Sequence, residues 1–280
     1  MRKASHRAKG PDISLRPQPL KALPTAVLRG VDTLFFDIDD TFSSHGQITA
    51  EAFEALWRLK RAGLKCVAVT GRPAGWCDMI ARMWPVTAVV GENGAFYTLM
   101  RRGRLEKAYL EPSTVRLANQ KRLEHLRQSL QRAFPGHRLA SDQAFREFDL
   151  AIDYREDVKP WPKARVQRLL AHCRAQGALA LLSSIHVNTW FGRYDKLTCV
   201  KKLGRELWGR DFATLIRTAV YTGDSPNDEP FFAAFPLSVG VANVRDFLDD
   251  MAAAPAFITR RECGAGFSEL ASRLAAARKK

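Results

Sequence analysis

Four clusters of polar residues in this 280-residue chain carry side chains able to do chemistry. The first is Asp37-Ile38-Asp39-Asp40-Thr41 and the second is Thr70-Gly71-Arg72. The third is Lys196, and the fourth is Gly223-Asp224-Ser225-Pro226-Asn227-Asp228. Together they suit phosphoryl transfer, which needs an in-line nucleophile, neutralisation of the phosphate oxygens and a proton source for the leaving group. Asp37 and Asp39 lie two residues apart, so they share a face in a regular strand but can be aimed separately where a strand ends. Carboxylates beside a phosphate repel it and one another unless a cation intervenes. A hard, oxygen-preferring ion such as Mg²⁺ fills that role. Thr70, the Gly71 backbone and Lys196 are then placed to hold the remaining phosphate oxygens. A lysine at a helix start opposes the helix dipole, a cost that a bound anion offsets.

The clusters make sense together only if strand ends bring them to one crevice, as in an open parallel sheet. The sequence predicts that arrangement. Leu34-Phe35-Phe36 reads as a buried strand ending in Asp37. A helix follows from Ala50 to Ala62, capped by Thr49, and then a strand from Lys65 to Thr70. A helix from Ala74 to Met83 and a strand from Thr87 to Val90 complete a strand–helix alternation typical of parallel sheets. The pattern then changes to strands near Ala95–Met100 and Leu105–Leu110 and a helix from Thr114 to Ala133. A strand at Asp149–Tyr154, a helix opened by Pro162 and one strand from Leu181 to Trp190 follow. From Lys196 the alternation resumes, with strands at Ala219–Gly223, Ser238–Val241 and Ala256–Thr259. The reading is an α/β core, residues 31–90 and 192–280, interrupted by an α+β insertion over residues 91–191. Residues 1–30, basic and proline-rich, read as an unstructured tail.

Taken in order, the four clusters resemble motifs one to four of the haloacid dehalogenase superfamily. The insertion between motifs two and three is similar to a type II cap. Gly91-Glu92-Asn93-Gly94-Ala95 and Gly264-Ala265-Gly266-Phe267 resemble segments of the group containing Cof-like, sucrose-phosphate and mannosyl-phosphoglycerate phosphatases. The resemblance spans Val31 to Leu274 and implies a Rossmann-like core with a substrate-selecting cap at residues 91–191. It implies that Asp37 attacks phosphorus and that Asp39 protonates the leaving alkoxide and then deprotonates water. Mg²⁺ is implied at the Asp37 carboxylate, the Asp39 backbone carbonyl and Asp224, with Asp228 in support. Phosphate binding is implied for Thr70, Gly71, Lys196 and Asn227. Two features depart from the pattern. Asp40 stands where many members have glycine, and Lys196 lies further upstream of Asp224 than is common.

The expected activity is Mg²⁺-dependent hydrolysis of a small phosphorylated metabolite, a sugar phosphate, through an aspartyl-phosphate. Alternatives are a phosphomutase or other phosphotransferase using the same residues, and a binder of nucleic acid or anionic surfaces. The last rests on a net charge of +15. Against it, the basic residues are spread along the chain without a compact block interleaved with aromatics. In the insertion or at its border, Arg146, Arg155 and Arg193 are candidates to grip a second anionic group on the substrate. His45 and His186 are candidate acid–base residues, though isolated histidines are more commonly structural. Trp161 and Trp190 are candidate sugar-stacking residues, with core packing as the alternative. No run approaches the roughly 20 apolar residues of a membrane span. Five dispersed cysteines without a Cys-x-x-Cys pair fit a reducing, cytoplasmic setting.

Overall fold

The computed structural model describes residues 17–183 and 185–278. Leu34, Phe35 and Phe36 are fully buried on both sides, because their strand, Thr33–Phe36, lies in the middle of a nine-stranded sheet. The sheet runs Gln18–Pro19, Phe257–Ile258, Ser238–Gly240, Ala219–Gly223, Thr33–Phe36, Lys65–Val69, Ala88–Gly91, Phe96–Arg101, Arg104–Tyr109. The first seven are parallel and the last two antiparallel. Side chains alternate between two core layers. Leu34, Phe36, Cys66 and Ala68 meet the helices Ala50–Arg61, Ala74–Met83 and Cys263–Ala277. Phe35, Val67 and Val69 meet Lys196–Trp208, Phe212–Arg217 and Glu229–Ala234. Phe267 of the Gly-Ala-Gly-Phe segment is fully buried against Phe36 and Phe42.

A second sheet holds Arg138–Leu139, Asp149–Asp153, His186–Trp190 and Leu179–Leu182, all antiparallel. Helices Ser113–Ala133 and Lys163–Ala175 cover one face, where Leu126, Leu130, Leu169 and Cys173 pack on Ile152 and Val187. The period-2 alternation of strands turns Asp149, Ala151 and Asp153, paired with Trp190, Asn188 and His186, to the other face. That face closes over the core.

Three expectations need correction. The basic tail is structured from Gln18 onward, while residues 1–16 lie outside the described residues. Gln18–Pro19 pairs with Phe257–Ile258, and Leu20, Leu23 and Leu28 are each no more than 2% exposed in the core. Arg273 fixes the segment by donating to the Leu20 and Leu23 carbonyls. Prolines in place of helix formers hid these three anchors. The strands near 95–110 belong to the core sheet, because Gly91 pairs antiparallel with Phe96 and extends that sheet by a hairpin. The inserted layer therefore begins with the helix at Ser113. Leu181–Trp190 is two strands, Leu179–Leu182 and His186–Trp190, which pair with each other.

Candidate active site

Asp37 follows the central strand, and its N–H donates to the Thr222 carbonyl at 3.0 Å. The neighbours of that strand are Lys65–Val69 on one side and Ala219–Gly223 on the other. The chain reverses its winding at this point, so the ends of three strands open onto one crevice. Thr70-Gly71 and Asp224 are carried there from either side.

The Asp37, Asp224 and Asp228 carboxylates are buried, and one oxygen of each lies within 4.8 Å of the others. Lys196 is the first residue of its helix, behind the Asp195 cap, which accepts from the Thr198 N–H. Its ammonium donates to Asp37 Oδ1 at 2.7 Å and stands 4.0 Å from Asp228 Oδ1. Burial pushes Asp37 up to about 7; Lys196 opposes this, and Asp228 and Asp39 add to it. Burial raises Asp224 well above the carboxylate range, helped by Asp228 and Asp37. Burial alone would lower Lys196, but Asp37 and Asp228 hold it above its ordinary value. One lysine cannot neutralise three buried carboxylates, so the donor set fits a hard divalent cation.

Asp224 and Asp228 are held from outside the cluster. Thr41 Oγ1 donates to Asp224 Oδ1 at 2.9 Å, and Asn243 Nδ2 donates to Asp224 Oδ2 at 3.4 Å. Asp228 Oδ1 accepts from the Tyr221 hydroxyl, and its Oδ2 accepts from the N–H groups of Asp224 and Ser225 at 2.9 and 3.2 Å. With both oxygens engaged, Asp228 orients the turn more than it offers a free ligand atom. Gly223 allows this: a Cβ there would lie 2.4 Å from the Asp228 carboxyl carbon.

Asp39 points away from the acidic cluster. Arg72 holds it through Nη2 to Oδ1 at 2.7 Å and Nε to both oxygens at 3.1 Å. Arg72 also reaches Asp142 at 3.4 Å and Glu156 at 3.3 Å, both in the inserted layer. It thereby ties the second aspartate to the layer above it. Sequence reasoning placed Arg72 in a cluster without giving it a role. A long cation beside a strand-end Thr-Gly was the only signal of it.

A cavity of about 20 Å³ lies between the layers, lined from below by Asp37, Asp39, Gly71, Arg72, Ser225 and Asn227. From above it is lined by Arg146, Ser183, Ile185, His186 and Asn188, with Asn93 at the junction. Among the expected phosphate ligands, Gly71 and Asn227 line the cavity, and Lys196 lies behind Asp37. Thr70 is buried, and its hydroxyl accepts from the Arg72 N–H at 3.0 Å. Arg146 is present, but its donors go to Asp142, Asp149 and the Gly71 carbonyl. Arg155 and Arg193 are exposed and do not line the cavity, so the geometry does not join them to the site. His186 lines it; His45 is exposed outside it. Trp161 stacks on Phe134, and Trp190 on Tyr194, which satisfies the packing reading for both. Asp40 occupies its glycine-like position with φ +53°, the backbone state that makes glycine the easier residue there.

The junction between layers is a turn at Glu92-Asn93-Gly94 with positive φ throughout. Gly94 presses on the start of the Lys196 helix, where a Cβ would lie 2.1 Å from the Asp195 carbonyl oxygen. Glu92 is fully buried and accepts from the N–H groups of Ala74, Glu147, Phe148 and Asp149.

The family model for haloacid dehalogenase-like hydrolases matches residues 34–130. No curated protein sequence matches the chain. A structure from Thermoplasma acidophilum is similar at TM-score 0.67, with 17% identity over 87% of this chain and 98% of its own. The C-terminal domain of the C. albicans trehalose-6-phosphate phosphatase is similar at TM-score 0.67, with 13% identity over 93% and 98%. The sucrose-phosphatase of Synechocystis, solved with sucrose and phosphate, is similar at TM-score 0.60, with 15% identity over 86% and 97%. At these identities the structural likenesses establish the fold, and the family match covers the part of the chain that carries Asp37, Asp39 and Thr70-Gly71-Arg72. Residues 34–130 thus match the haloacid dehalogenase-like hydrolases, and the chain as a whole shares the fold of the similar structures.

Proposed function

We propose that this protein is a Mg²⁺-dependent phosphatase acting on a small phosphorylated metabolite, a sugar phosphate, with Asp37 as the nucleophile. The observation that carries the reading is the convergence in one buried crevice of Asp37 on Lys196, the acids Asp224 and Asp228, and a separately held Asp39. Lys196 holds Asp37 Oδ1 at 2.7 Å, which fixes the carboxylate for attack by its other oxygen. A new O–P bond forms as the bond to the leaving oxygen breaks, and Asp39 gives that oxygen a proton. Asp39 then takes a proton from water, the water oxygen attacks phosphorus, and the Asp37 carboxylate is released with inorganic phosphate. Mg²⁺, held by Asp37 and Asp224 with Asp228 orienting the turn, supplies positive charge to the phosphate oxygens when bound. Residues 113–191 act as a cap that screens the small cavity from water. Two similar structures are phosphatases of disaccharide phosphates by name, which supports a sugar phosphate as substrate.

The test is phosphate release from a panel of sugar phosphates, nucleotides and phosphoglycerate derivatives, with Mg²⁺ or EDTA. Asp37→Asn replaces one carboxylate oxygen with an amide nitrogen and removes the negative charge, and is expected to abolish release, as is EDTA. Equal activity in Asp37→Asn overturns the assignment, and isomerised sugar among the products would favour a mutase.

A further inference from the structure

Among the described residues, two buried side-chain atoms in the wall of the cavity above Asp37 make no hydrogen bond, His186 Nε2, which faces Glu156 at 2.8 Å, and Asn188 Oδ1. Asn188 lies on the strand His186–Trp190, is 5% exposed, and lines the cavity. Its Oδ1 is buried and makes no hydrogen bond among the described residues. Its Nδ2 end rests against the core, 3.1 Å from where a Cβ on Gly71 would stand. A buried amide oxygen without a donor is costly, and such an atom kept beside a reaction site calls for a donor from outside the chain. Among the described residues, the neighbouring groups are engaged elsewhere: Asn93 Nδ2 donates to Asp149 Oδ2 at 3.3 Å. The Ser183 hydroxyl already donates to the His186 carbonyl at 3.1 Å, and Ile185 is apolar. His186 Nε2 sits 2.8 Å from Glu156, out of line for a hydrogen bond.

The cations of the same wall are committed. Arg146 is spent on Asp142, Asp149 and the Gly71 carbonyl, and Arg72 on Asp39, Asp142 and Glu156. A second phosphate or a carboxylate on the leaving group would therefore meet no free positive charge there, and would lie close to three carboxylates. A hydroxyl suits the site: it donates to an amide oxygen and carries no charge into a region of spent arginines.

From this we propose that Asn188 Oδ1 accepts a hydrogen bond from a hydroxyl of the leaving group, and that the cap selects an uncharged polyol carrying a single phosphate. This rests on the hydrolase reading above. The cavity of about 20 Å³ has room for about one water molecule. The polyol therefore enters with the cap moved aside and meets Asn188 as it returns.

The experiment measures kcat/KM with Mg²⁺ for hexose 6-phosphates, their monodeoxy analogues, a hexose bisphosphate, a phosphoglycerate and p-nitrophenyl phosphate. Wild type and Asn188→Leu are compared, with Asn188→Ser as a smaller variant in case leucine disturbs cap closure. For the wild type, one deoxy position is expected to cost at least about 10-fold. Asn188→Leu is expected to lose a similar factor on the parent sugar phosphate, nothing further on that deoxy analogue, and less than about 2-fold on the aryl phosphate. Flat responses to every deoxy analogue, or an equal loss on aryl and sugar phosphates, would mean that Asn188 binds only water or packs the cap, and the proposal falls. Preference for the bisphosphate or the phosphoglycerate overturns the uncharged leaving group. If Asp37-dependent release is missing from the aryl phosphate as well as from every sugar phosphate, the hydrolase reading itself fails and takes the subsite with it.

Discussion

Lys196 and Asp37 form a buried ion pair within a surplus of acids, and this decides what each residue can do. The lysine's 2.7 Å bond to Oδ1 favours the ionised Asp37 carboxylate and opposes the burial that on balance leaves Asp37 raised to about 7. Lys196→Met keeps the volume and removes the charge. It is expected to lower kcat/KM at least ~100-fold, since preorganised charge at a phosphoryl site is worth that much. It should also destabilise the fold by roughly 3–5 kcal/mol, the usual cost of removing one partner of a buried pair. Phosphate release and urea unfolding check the two parts separately, and wild-type values in both would remove Lys196 from the site. Asp39 shows the opposite arrangement. Its carboxylate is gripped by Arg72 and is not among the three carboxylates of the acidic cluster, so two aspartates two residues apart receive different neighbours.

At the scale of elements, the turn Glu92–Gly94 and the segment Leu20–Arg29 do jobs their sequences do not advertise. Burial and the charge of Asp149 push Glu92 up to about 8, partly offset by the backbone N–H groups it accepts from. A carboxyl raised in the folded state above its ordinary 4.5 favours folding fully below pH 4.5 and loses that advantage as pH rises through about 8. The melting temperature of the wild type is therefore expected to fall across this window by more than that of Glu92→Gln, with the two close together at pH 5. Parallel melting curves at pH 5 and pH 8 would show that Glu92 stays ionised throughout. In the N-terminal segment, Leu28 is 1% exposed and packs with the helix Cys263–Ala277 and its neighbours. Leu28→Ala is expected to cost about 2–5 kcal/mol in chemical denaturation. A loss under about 0.5 kcal/mol would mean the segment contributes little to the core.

The whole molecule is a core sheet and an inserted layer that meet over a cavity of about 20 Å³, too small for a sugar. Turnover therefore requires the layers to separate and meet again. Gly75 in the core helix Ala74–Met83 faces Phe145 of the cap, and a Cβ on Gly75 would lie 3.1 Å from the Cβ of Phe145. This is a few tenths of an ångström short of the roughly 3.5–4.5 Å Cβ spacing of a disulfide, so a small outward shift of either element would allow the bridge. The double variant Gly75→Cys, Phe145→Cys is expected to lose at least ~90% of turnover when oxidised and recover it on reduction. The five native cysteines are free and buried, which limits competing bridges. Full activity in the oxidised protein would mean that substrate enters without separation of these elements. Among the described residues, no helix is long and apolar enough to cross a membrane.

The chemistry was legible in the sequence because it sits at strand ends. Apolar runs such as Leu34-Phe35-Phe36 must be buried on both faces, and in a parallel sheet such strands deliver whatever follows them to one edge. That logic, with four motifs in order, points to Asp37, Asp39, Lys196 and Asp224 as candidates, and the structure brings Asp37, Lys196 and Asp224 into one buried cluster. The cap strand was less legible. His186-Val187-Asn188-Thr189-Trp190 alternates, but alternation does not say whether its polar face meets water or a second layer. Only the tertiary structure put Asn188 over Asp37, spent Arg146 on the acids beside it, and left Arg155 and Arg193 outside. It also recruited Leu20, Leu23 and Leu28 into the core from a stretch whose composition read as tail. Local sequence fixes what a residue can do at a strand end. Which distant side chains meet it depends on how the two layers close, through contacts more than 70 residues apart in the chain such as Arg72 with Glu156.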